Sequence, residues 1–310
     1  MAAIDKMRNS NDSISQIAKI LRDQNQPLTE RFRALFTLRN LGGKKAINAI
    51  AGIFSDPSAL LKHELAYCLG QMQDDYAVSI LTEVLQDENQ EVIVRHEAGE
   101  ALGAIGSLSS IEVLKKYENS DIRDLADTCQ LAIQRIKWLH GSDRHKKNLS
   151  KNPYNSIDPA PPSECQDLGK LEKMLLDENL PMYNRYRAMF SLRNMQTDKA
   201  CRILAKGFKS SSALFRHEIA YVLGQLQNPI VAKELMATVE NEDEDPMVRH
   251  ECAEALGAMG TAECNDFLAK YLTDKERIVR ESCIVALDIS ESTDQFQYAN
   301  TLSKVTSVSA

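Results

Sequence analysis

Hydrophobic residues recur along most of this chain at intervals of three and four positions, with polar residues between them. Two neighbouring runs illustrate the pattern: Ile80, Leu81, Val84 and Leu85, then Val94, Ala98, Leu102 and Ile105. This spacing keeps apolar side chains on one face of an α-helix, and the alternation typical of a β-strand is absent. The pattern predicts an all-α protein.

The chain contains an internal duplication. Residues 31–106 align with residues 185–260 at a constant offset of 154 without a gap. RFRALFTLRN in the first copy matches RYRAMFSLRN in the second, and LLKHELAYCLGQMQ matches LFRHEIAYVLGQLQ. Within each copy, 33 residues separate His63 from His96 and His217 from His250, which is the length of a helical-hairpin repeat.

These periods predict two duplicated halves of about four hairpins each. The expected hairpins span about residues 12–42, 43–73, 74–106 and 107–139, then about 166–196, 197–227, 228–260 and 261–290. Because such hairpins bury their apolar faces only against neighbours, we expect each half to be a short HEAT-like solenoid whose second helices line one face.

Composition divides the chain into four segments. Residues 1–140 form the N-terminal half and residues 166–290 the C-terminal half. Residues 141–165 are rich in Pro, Ser, Asn and charged residues and are predicted to be a linker. Periodicity is weak from 291 to 310, where we expect a flexible tail.

Charge and cysteine usage narrow the class of protein. A net charge of −7 argues against a nucleic-acid-binding surface and favours a basic partner. The seven cysteines include no CxxC pair, which argues against a disulfide framework or a zinc knuckle. No segment has the length and hydrophobicity of a membrane helix. We therefore expect a soluble, cytoplasmic protein that binds neither nucleic acid nor a membrane.

Four of the six histidines occupy equivalent positions of the repeats, and each is followed by a glutamate. The pairs are His63 and Glu64, His96 and Glu97, His217 and Glu218, and His250 and Glu251. At 100° per residue, His63 lies about 200° from the apolar stripe that starts at Leu61, so it does not pack in the core of its own helix. The other two histidines, His140 and His145, have no neighbouring glutamate.

Imidazole and carboxylate groups together suit first-row transition metals, and the absence of cysteine at these positions argues against a closed structural zinc site. Two histidines and a carboxylate from each half would hold one metal and leave coordination positions open, as in carboxylate-histidine sites of helical bundles. The pattern predicts a paired metal site between the halves.

The helical spacing leaves the identity of the carboxylate ligands open. Glu97 and Glu251 directly follow their histidines, whereas Glu100 and Glu254 lie four positions after the same histidines and closer in azimuth. We expect Glu97 and Glu251 to be ligands, with Glu100 and Glu254 as rivals or supporting partners.

Seven residues after each of the four histidines stands a glycine. These are Gly70, Gly103, Gly224 and Gly257. Glycine inside a helix costs about 1 kcal/mol relative to alanine, so four aligned copies indicate a close approach to the backbone. Two explanations stay open: close packing between helices, and access for a ligand above the metal.

The segment VRHEAGEALGAIG resembles the HEAT-like repeat of bilin lyases. The four HE pairs, at intervals of 33, 121 and 33 residues and framed by LRN, LAYCLGQMQ and EALGAIG, resemble the deoxyhypusine hydroxylase family over nearly the whole chain. This resemblance implies a non-haem di-iron monooxygenase that uses dioxygen to hydroxylate the deoxyhypusine side chain of translation initiation factor 5A to hypusine. An electron donor of unidentified nature would act with it.

The resemblance also implies roles for individual residues. One ferrous ion, Fe(2+), would be bound by His63, His96 and Glu97, and a second by His217, His250 and Glu251. Glu64 and Glu218 complete the four pairs and are grouped with the metal-site residues as well; they would hold the substrate, and whether they also bind metal stays open. No catalytic residue beyond the metal site is expected. The carboxylates suit a polyamine-like cation, and an acidic enzyme suits a basic partner.

Two rival functions share the repeat architecture. A helical scaffold would bind partner proteins on its concave face without catalysis, but it has no use for four matched histidines. A bilin-lyase-like enzyme shares the repeat, yet it gives no reason for His-Glu pairs in both halves. Metal content distinguishes these alternatives.

Overall fold

A computed structural model of the chain describes residues 11–142 and 148–292. Within these ranges the chain forms sixteen α-helices, joined by turns and short 3₁₀ segments, and no β-strand, so the all-α prediction is confirmed. The N-terminal half contains α1 (Asn11–Arg22), α2 (Leu28–Leu41), α3 (Gly43–Ala51), α4 (Ala59–Met72), α5 (Val78–Gln86), α6 (Val92–Ile105), α7 (Ile111–Tyr117) and α8 (Arg123–His140). The C-terminal half contains α9 (Leu168–Leu176), α10 (Met182–Asn194), α11 (Asp198–Ala205), α12 (Ala213–Leu226), α13 (Ala232–Glu240), α14 (Pro246–Met259), α15 (Ala262–Leu268) and α16 (Arg277–Ser290).

Consecutive helices pair into hairpins, and the second helix of each hairpin lies on the inner side. The inner helices pack in two series, α4 on α6 on α8 and α12 on α14 on α16. Most side chains of α4, α6, α12 and α14 are buried around the full helix circumference, whereas the outer helices bury a single stripe. Among the described residues, no helix has both the length and the hydropathy to cross a bilayer.

A repeated buried arginine joins the two helices of a hairpin. Arg31 donates from Nε to the carbonyl oxygen of Leu21, near the end of the preceding helix, at 2.9 Å. The same bond recurs from Arg95 to Leu85, from Arg185 to Leu175 and from Arg249 to Val239. The last carbonyls of a helix have no partner within it, so these arginines satisfy groups that burial would otherwise leave unpaired.

The four aligned glycines lie where neighbouring inner helices come into close contact. A Cβ atom built on Gly70 would lie 2.8 Å from the Cα of Ala101, and one on Gly257 would lie 2.5 Å from the Cβ of Ala286. Gly103 makes the equivalent approach to Ala132. Any side chain at these positions would push the helices apart. The structure supports close helix packing at all four glycines, and ligand access stays open for Gly224 and Gly257, which also line the cavity between the halves.

The two halves close on each other through their last helices. Helix α8 of the N-terminal half packs on α10 and α12, and α16 of the C-terminal half packs on α2 and α4. Polar contacts cross the second of these interfaces: Arg33 donates to Asp288 at 2.7 Å, and Ser58 donates to Glu281 at 2.6 Å. The concave faces of the two solenoids therefore enclose a shared interior.

Part of the predicted linker has a defined structure that composition did not reveal. Residues 152–159, which we call the strap, contact both halves. The buried carboxylate of Asp158 accepts from both terminal nitrogens of Arg193 on α10, at 2.8 and 2.7 Å. The backbone N–H of Ile157 donates to Gln71 on α4 at 3.0 Å. The predicted tail lies outside the described residues from 293 onward.

Candidate metal centre

The four repeat histidines converge at the interface of the halves. His63, His96, His217 and His250 come from α4, α6, α12 and α14 respectively. The ring centroids of His63 and His250, from opposite halves, are 5.4 Å apart, and those of His96 and His217 are 5.5 Å apart. Within one half, the rings of His217 and His250 are 5.3 Å apart. His140 lies away from this group and hydrogen-bonds the carbonyl oxygen of Gly106.

All four rings are buried although none packs in the core of its own helix. His96 and His250 have no exposed surface, and His63 and His217 are 3% and 5% exposed. The apolar stripe of each inner helix packs against its own half, so the histidine face points toward the opposite half. The helical spacing predicted this orientation, while the burial results from the docking of the halves.

The histidine nitrogens have few hydrogen-bond partners. Nε2 of all four rings is buried and forms no hydrogen bond within the described part of the chain. Leaving such an atom unpaired costs about 1–3 kcal/mol. Four converging nitrogens with this deficit form a group that could hold a metal ion, which accepts their lone pairs.

Two hydroxyl groups fix the orientation of two of the rings. Thr128 Oγ1 on α8 is 3.2 Å from Nδ1 of His96, and Ser282 Oγ on α16 is 3.5 Å from Nδ1 of His250. Thr128 and Ser282 are themselves separated by the repeat offset of 154. When Nδ1–H donates to the hydroxyl oxygen, the ring proton is held on Nδ1 and the lone pair of Nε2 stays available toward the interior. The duplication relates Thr128 to Ser282 in the sequence, but neither hydroxyl was predicted to belong to the site.

Carboxylate oxygens lie among the free nitrogens. Glu97 Oε2 is 3.2 Å from Nε2 of His63 and 3.7 Å from Nε2 of His96, and Glu251 Oε2 is 3.3 Å from Nε2 of His217. The contact of Glu97 with His63 is short but is not aligned as a hydrogen bond, and neither ring nitrogen of His63 has a hydrogen-bond partner among the described residues. Glu64 Oε1 is 3.3 Å from Nδ1 of the same ring.

Three combinations of these residues bring one potential ligand atom each within 4.8 Å of one another. They are His63 with His96 and Glu97; His63 with His217 and His250; and His250 with Glu251 and Glu254. The first is one of the ligand sets that the resemblance implies. The members of the second implied set, His217, His250 and Glu251, are divided between the other two combinations. Glu254 also accepts from Ser282 at 3.1 Å, and Glu100 forms none of these combinations.

Burial shifts the titration of the histidines and carboxylates in opposite directions. Burial lowers the pKa of His217 to about 3 and lowers the pKa of His96 and His250 well below the usual value, so these rings are neutral, which is the ligand form. Burial also lowers the pKa of His63, but the adjacent Glu97 and Glu64 outweigh burial and raise this pKa well above its usual value.

The carboxylates of the centre repel one another. Burial, together with neighbouring carboxylates, raises the pKa of Glu100 and of Glu251 to about 8. The same causes raise the pKa of Glu218 and Glu254 well above the usual range. Oε1 of Glu218 is also buried without a hydrogen-bond partner. In a centre with three neutral imidazoles and crowded carboxylates, metal cations or substrate ammonium groups would stabilise the ionised carboxylates.

A cavity of about 1050 Å³ lies over the histidine cluster. Both halves and the strap contribute to its wall. The side chains that carry polar groups into it include Arg39, Glu64, Tyr67, Glu97, Glu100, Ser156, Glu218, Tyr221, Gln225, Glu251 and Glu254. All six of these glutamates were predicted from the sequence to belong to the site or to support it, whereas no role was predicted for the two tyrosines or for the strap.

Comparisons with known proteins agree with this architecture. A model of HEAT repeats matches residues 49–133 and 233–302. The chain is 54% identical to the deoxyhypusine hydroxylase of Danio rerio over 304 residues, covering 97% of this chain and 99% of the relative. It is 53% identical to the deoxyhypusine hydroxylase of Homo sapiens, covering 94% and 96%. The solved structure of human deoxyhypusine hydroxylase in complex with glycerol superposes with a TM-score of 0.86 at 54% identity, covering 90% of this chain and 96% of that chain.

Proposed function

This chain belongs to the deoxyhypusine hydroxylase family, and we propose that it hydroxylates deoxyhypusine in translation initiation factor 5A as a dioxygen-dependent monooxygenase containing two Fe(2+) ions. The observation that carries the proposal is the convergence of four buried, unpaired Nε2 atoms with carboxylates in a cavity between the halves. Such a donor set suits a first-row transition metal.

We assign the metal ligands by halves. His63, His96 and Glu97 would hold one ion, supported by the contacts of Glu97 with both rings. By the duplication, His217, His250 and Glu251 would hold the other. The short distances between rings of opposite halves support two neighbouring ions rather than two separate sites. Thr128 and Ser282 would keep Nε2 of His96 and His250 directed at the ions.

Iron bound by these residues would supply the activation of dioxygen, and the protein would bind and orient the substrate. In the overall reaction one oxygen atom enters a C–H bond and the other leaves as water, so two electrons must come from a separate donor. Burial within the closed interface excludes bulk water from the reacting centre.

Glu64 and Glu218 are proposed to bind the amines of the substrate. Both line the cavity, and Oε1 of Glu218 is buried without a hydrogen-bond partner. A substrate ammonium would donate to these oxygens and offset the repulsion among the carboxylates.

All seven cysteines are unpaired, which suits a reducing compartment, and we propose that the enzyme acts in the cytoplasm.

The test combines metal analysis with product analysis. The purified chain, loaded anaerobically with ferrous iron, is mixed with initiation factor carrying deoxyhypusine, a reductant and isotopically heavy dioxygen. We expect two bound irons per chain and one heavy oxygen atom in the modified side chain by mass spectrometry. Label taken from water would exclude a monooxygenase. A chain that binds no metal and leaves the substrate unchanged would support a non-catalytic scaffold.

A further inference from the structure

Two tyrosines from equivalent positions meet in the cavity. The hydroxyl oxygens of Tyr67 and Tyr221, which are separated by the repeat offset, lie 3.2 Å apart. Each follows a repeat histidine by one helical turn, on α4 and α12, and both line the cavity wall. In a symmetric environment either hydroxyl could donate to the other. The surroundings of the pair therefore decide which of them donates.

The strap makes those surroundings different in the two halves. Arg193 Nη1 donates to Gln225 Oε1 at 2.8 Å, and a guanidinium cannot accept, so the Gln225 amide is fixed with Nε2 facing Tyr221 Oη at 3.1 Å. The equivalent residue Gln71 instead pairs with the backbone of Ile157. Among the described residues, only the tyrosine of the C-terminal half thus receives a hydrogen bond from a glutamine.

The direction of the bond between the tyrosines follows from this difference. Tyr221 Oη accepts from Gln225, and because hydrogen bonds in a chain polarise one another, Tyr221 is the stronger donor of the pair and its O–H is assigned to Tyr67. Tyr67 Oη then accepts, and within the described residues its O–H has no other hydrogen-bond acceptor. Tyr67 therefore presents a hydrogen-bond donor to the cavity.

A positively charged side chain, Arg39, lies near Tyr67 on this side of the cavity, which also carries the carboxylates of Glu64 and Glu97. Arg39 occupies the position in the N-terminal half that Arg193 occupies in the C-terminal half. Arg193 is fully buried and paired with Asp158 of the strap. Arg39 lines the cavity, stacks 4.8 Å from the ring of Phe36, and has no carboxylate within ion-pair distance among the described residues. The wall at Tyr67 and Arg39 thus offers donors and positive charge.

We propose that the Tyr67 hydroxyl, with Arg39 on the same wall, binds a peptide carbonyl oxygen of the protein substrate. The inference rests on the proposed function. The deoxyhypusine side chain contains amines but no oxygen, so its protonated amines suit the carboxylates, while the backbone that carries it provides the acceptor for Tyr67. Because the strap makes the two tyrosines unequal, the protein substrate would bind in one orientation, with its backbone on the side of the N-terminal half.

The test compares two ligands on the folded chain. One is initiation factor carrying deoxyhypusine, and the other is N-butyl-1,4-diaminobutane, which has the two amines but no carbonyl. Dissociation constants are measured on the metal-free protein, and KM and kcat on the iron-loaded enzyme. For Tyr67→Phe we expect the affinity for the protein substrate to fall by roughly fivefold, the loss of about one neutral hydrogen bond. KM should rise in parallel, with kcat and diamine affinity changed less than twofold.

Two further variants test the direction of the bond. In Tyr221→Phe the Tyr67 hydroxyl still donates into the cavity, so the loss of affinity should be clearly smaller. In Gln225→Glu the new carboxylate can only accept, which turns the Tyr221 O–H toward itself and makes Tyr67 donate to Tyr221. This variant should therefore weaken protein-substrate binding as much as Tyr67→Phe does. Tyr76→Phe, at an exposed site outside the cavity lining, is the control.

The outcomes separate the inference from the proposed function. Equal effects of Tyr67→Phe and Tyr221→Phe, or equal weakening of the diamine and the protein substrate, would overturn the role of Tyr67 while hydroxylation by the unaltered enzyme continued. Failure of the unaltered, iron-loaded chain to hydroxylate the factor would overturn the proposed function and this inference with it. Coincident unfolding curves of the variants would exclude a folding defect as the cause.

Discussion

Leu131 and Val285 occupy equivalent positions of the two halves, and each is buried in the hydrophobic core that the opposite half builds. Leu131 on α8 joins the core of the C-terminal half, and Val285 on α16 joins the core of the N-terminal half. This reciprocal exchange couples the two solenoids, so we expect them to unfold together rather than as independent domains.

Truncating Leu131 therefore tests the coupling. Leu131→Ala should lower the free energy of unfolding by roughly 2–5 kcal/mol, because it leaves a cavity between the halves. Urea denaturation of the metal-free protein, followed by circular dichroism, should still show one transition. Ile284→Ala is the control beside Val285, since Ile284 is 40% exposed and its truncation should change stability by less than about 0.5 kcal/mol. Two separated transitions in the unaltered metal-free chain, or no loss of stability in Leu131→Ala, would contradict the coupling.

Removing one repeat histidine should remove metal. His96→Ala and His250→Ala each delete a buried Nε2 atom that has no partner in the protein. We expect iron content to fall by at least one ion per chain and hydroxylation to be lost. His140→Ala is the matched control, because His140 lies outside the cluster. Full iron content in His96→Ala, measured by atomic absorption, would refute the assignment of the centre.

The hydroxyl groups of Thr128 and Ser282, which contact Nδ1 of His96 and His250, should increase the affinity for the metal. Thr128→Val keeps the shape of a buried side chain but leaves Nδ1 of His96 without its partner. Loss of such a supporting hydrogen bond typically costs 10–100-fold in metal affinity or activity. We expect that loss of iron affinity in competition with a chelator, and restoration by Thr128→Ser. Unchanged affinity in Thr128→Val would mean that the hydroxyl does not orient the ring.

Glu64 and Glu218 should separate substrate binding from metal binding. In Glu64→Gln and Glu218→Gln we expect both irons to stay bound and the affinity for the deoxyhypusine-bearing factor to fall, since an amide cannot offer the charge that an ammonium group requires. Iron analysis and binding are measured on the same samples. Loss of iron from Glu64→Gln would instead make Glu64 a metal ligand, in keeping with its contact to His63.

The crowded carboxylates should make the metal-free protein less stable at alkaline pH. Burial raises the pKa of Glu100 to about 8, above the usual value of 4.5, so the folded state keeps a proton that the unfolded chain releases. Stability from this group is present below about pH 4.5 and is lost as the pH rises toward 8. Urea midpoints measured from pH 5 to 8.5 should fall, and should fall less in Glu100→Gln. Glu112→Gln, on the exposed surface, is the control.

The sequence by itself determined the local structure and the residue types of the candidate metal centre. Side-chain direction repeats every 3.6 residues in a helix, so the apolar spacing predicted the helices and placed the histidines off each helix core. The predicted hairpin at about residues 43–73 is the pair α3 and α4. The duplication fixed which residues correspond, and the four His-Glu pairs identified the ligand types.

Only the tertiary structure decided how the corresponding residues meet. The contact between Tyr67 and Tyr221, the exchange of Leu131 and Val285, and the burial of the histidines all depend on how the halves dock. The approach of Gly70 to Ala101 and the place of Asp158 beside Arg193 likewise depend on neighbours distant in sequence. Helical periodicity describes directions within one helix, whereas these contacts arise from packing between helices that no local spacing encodes.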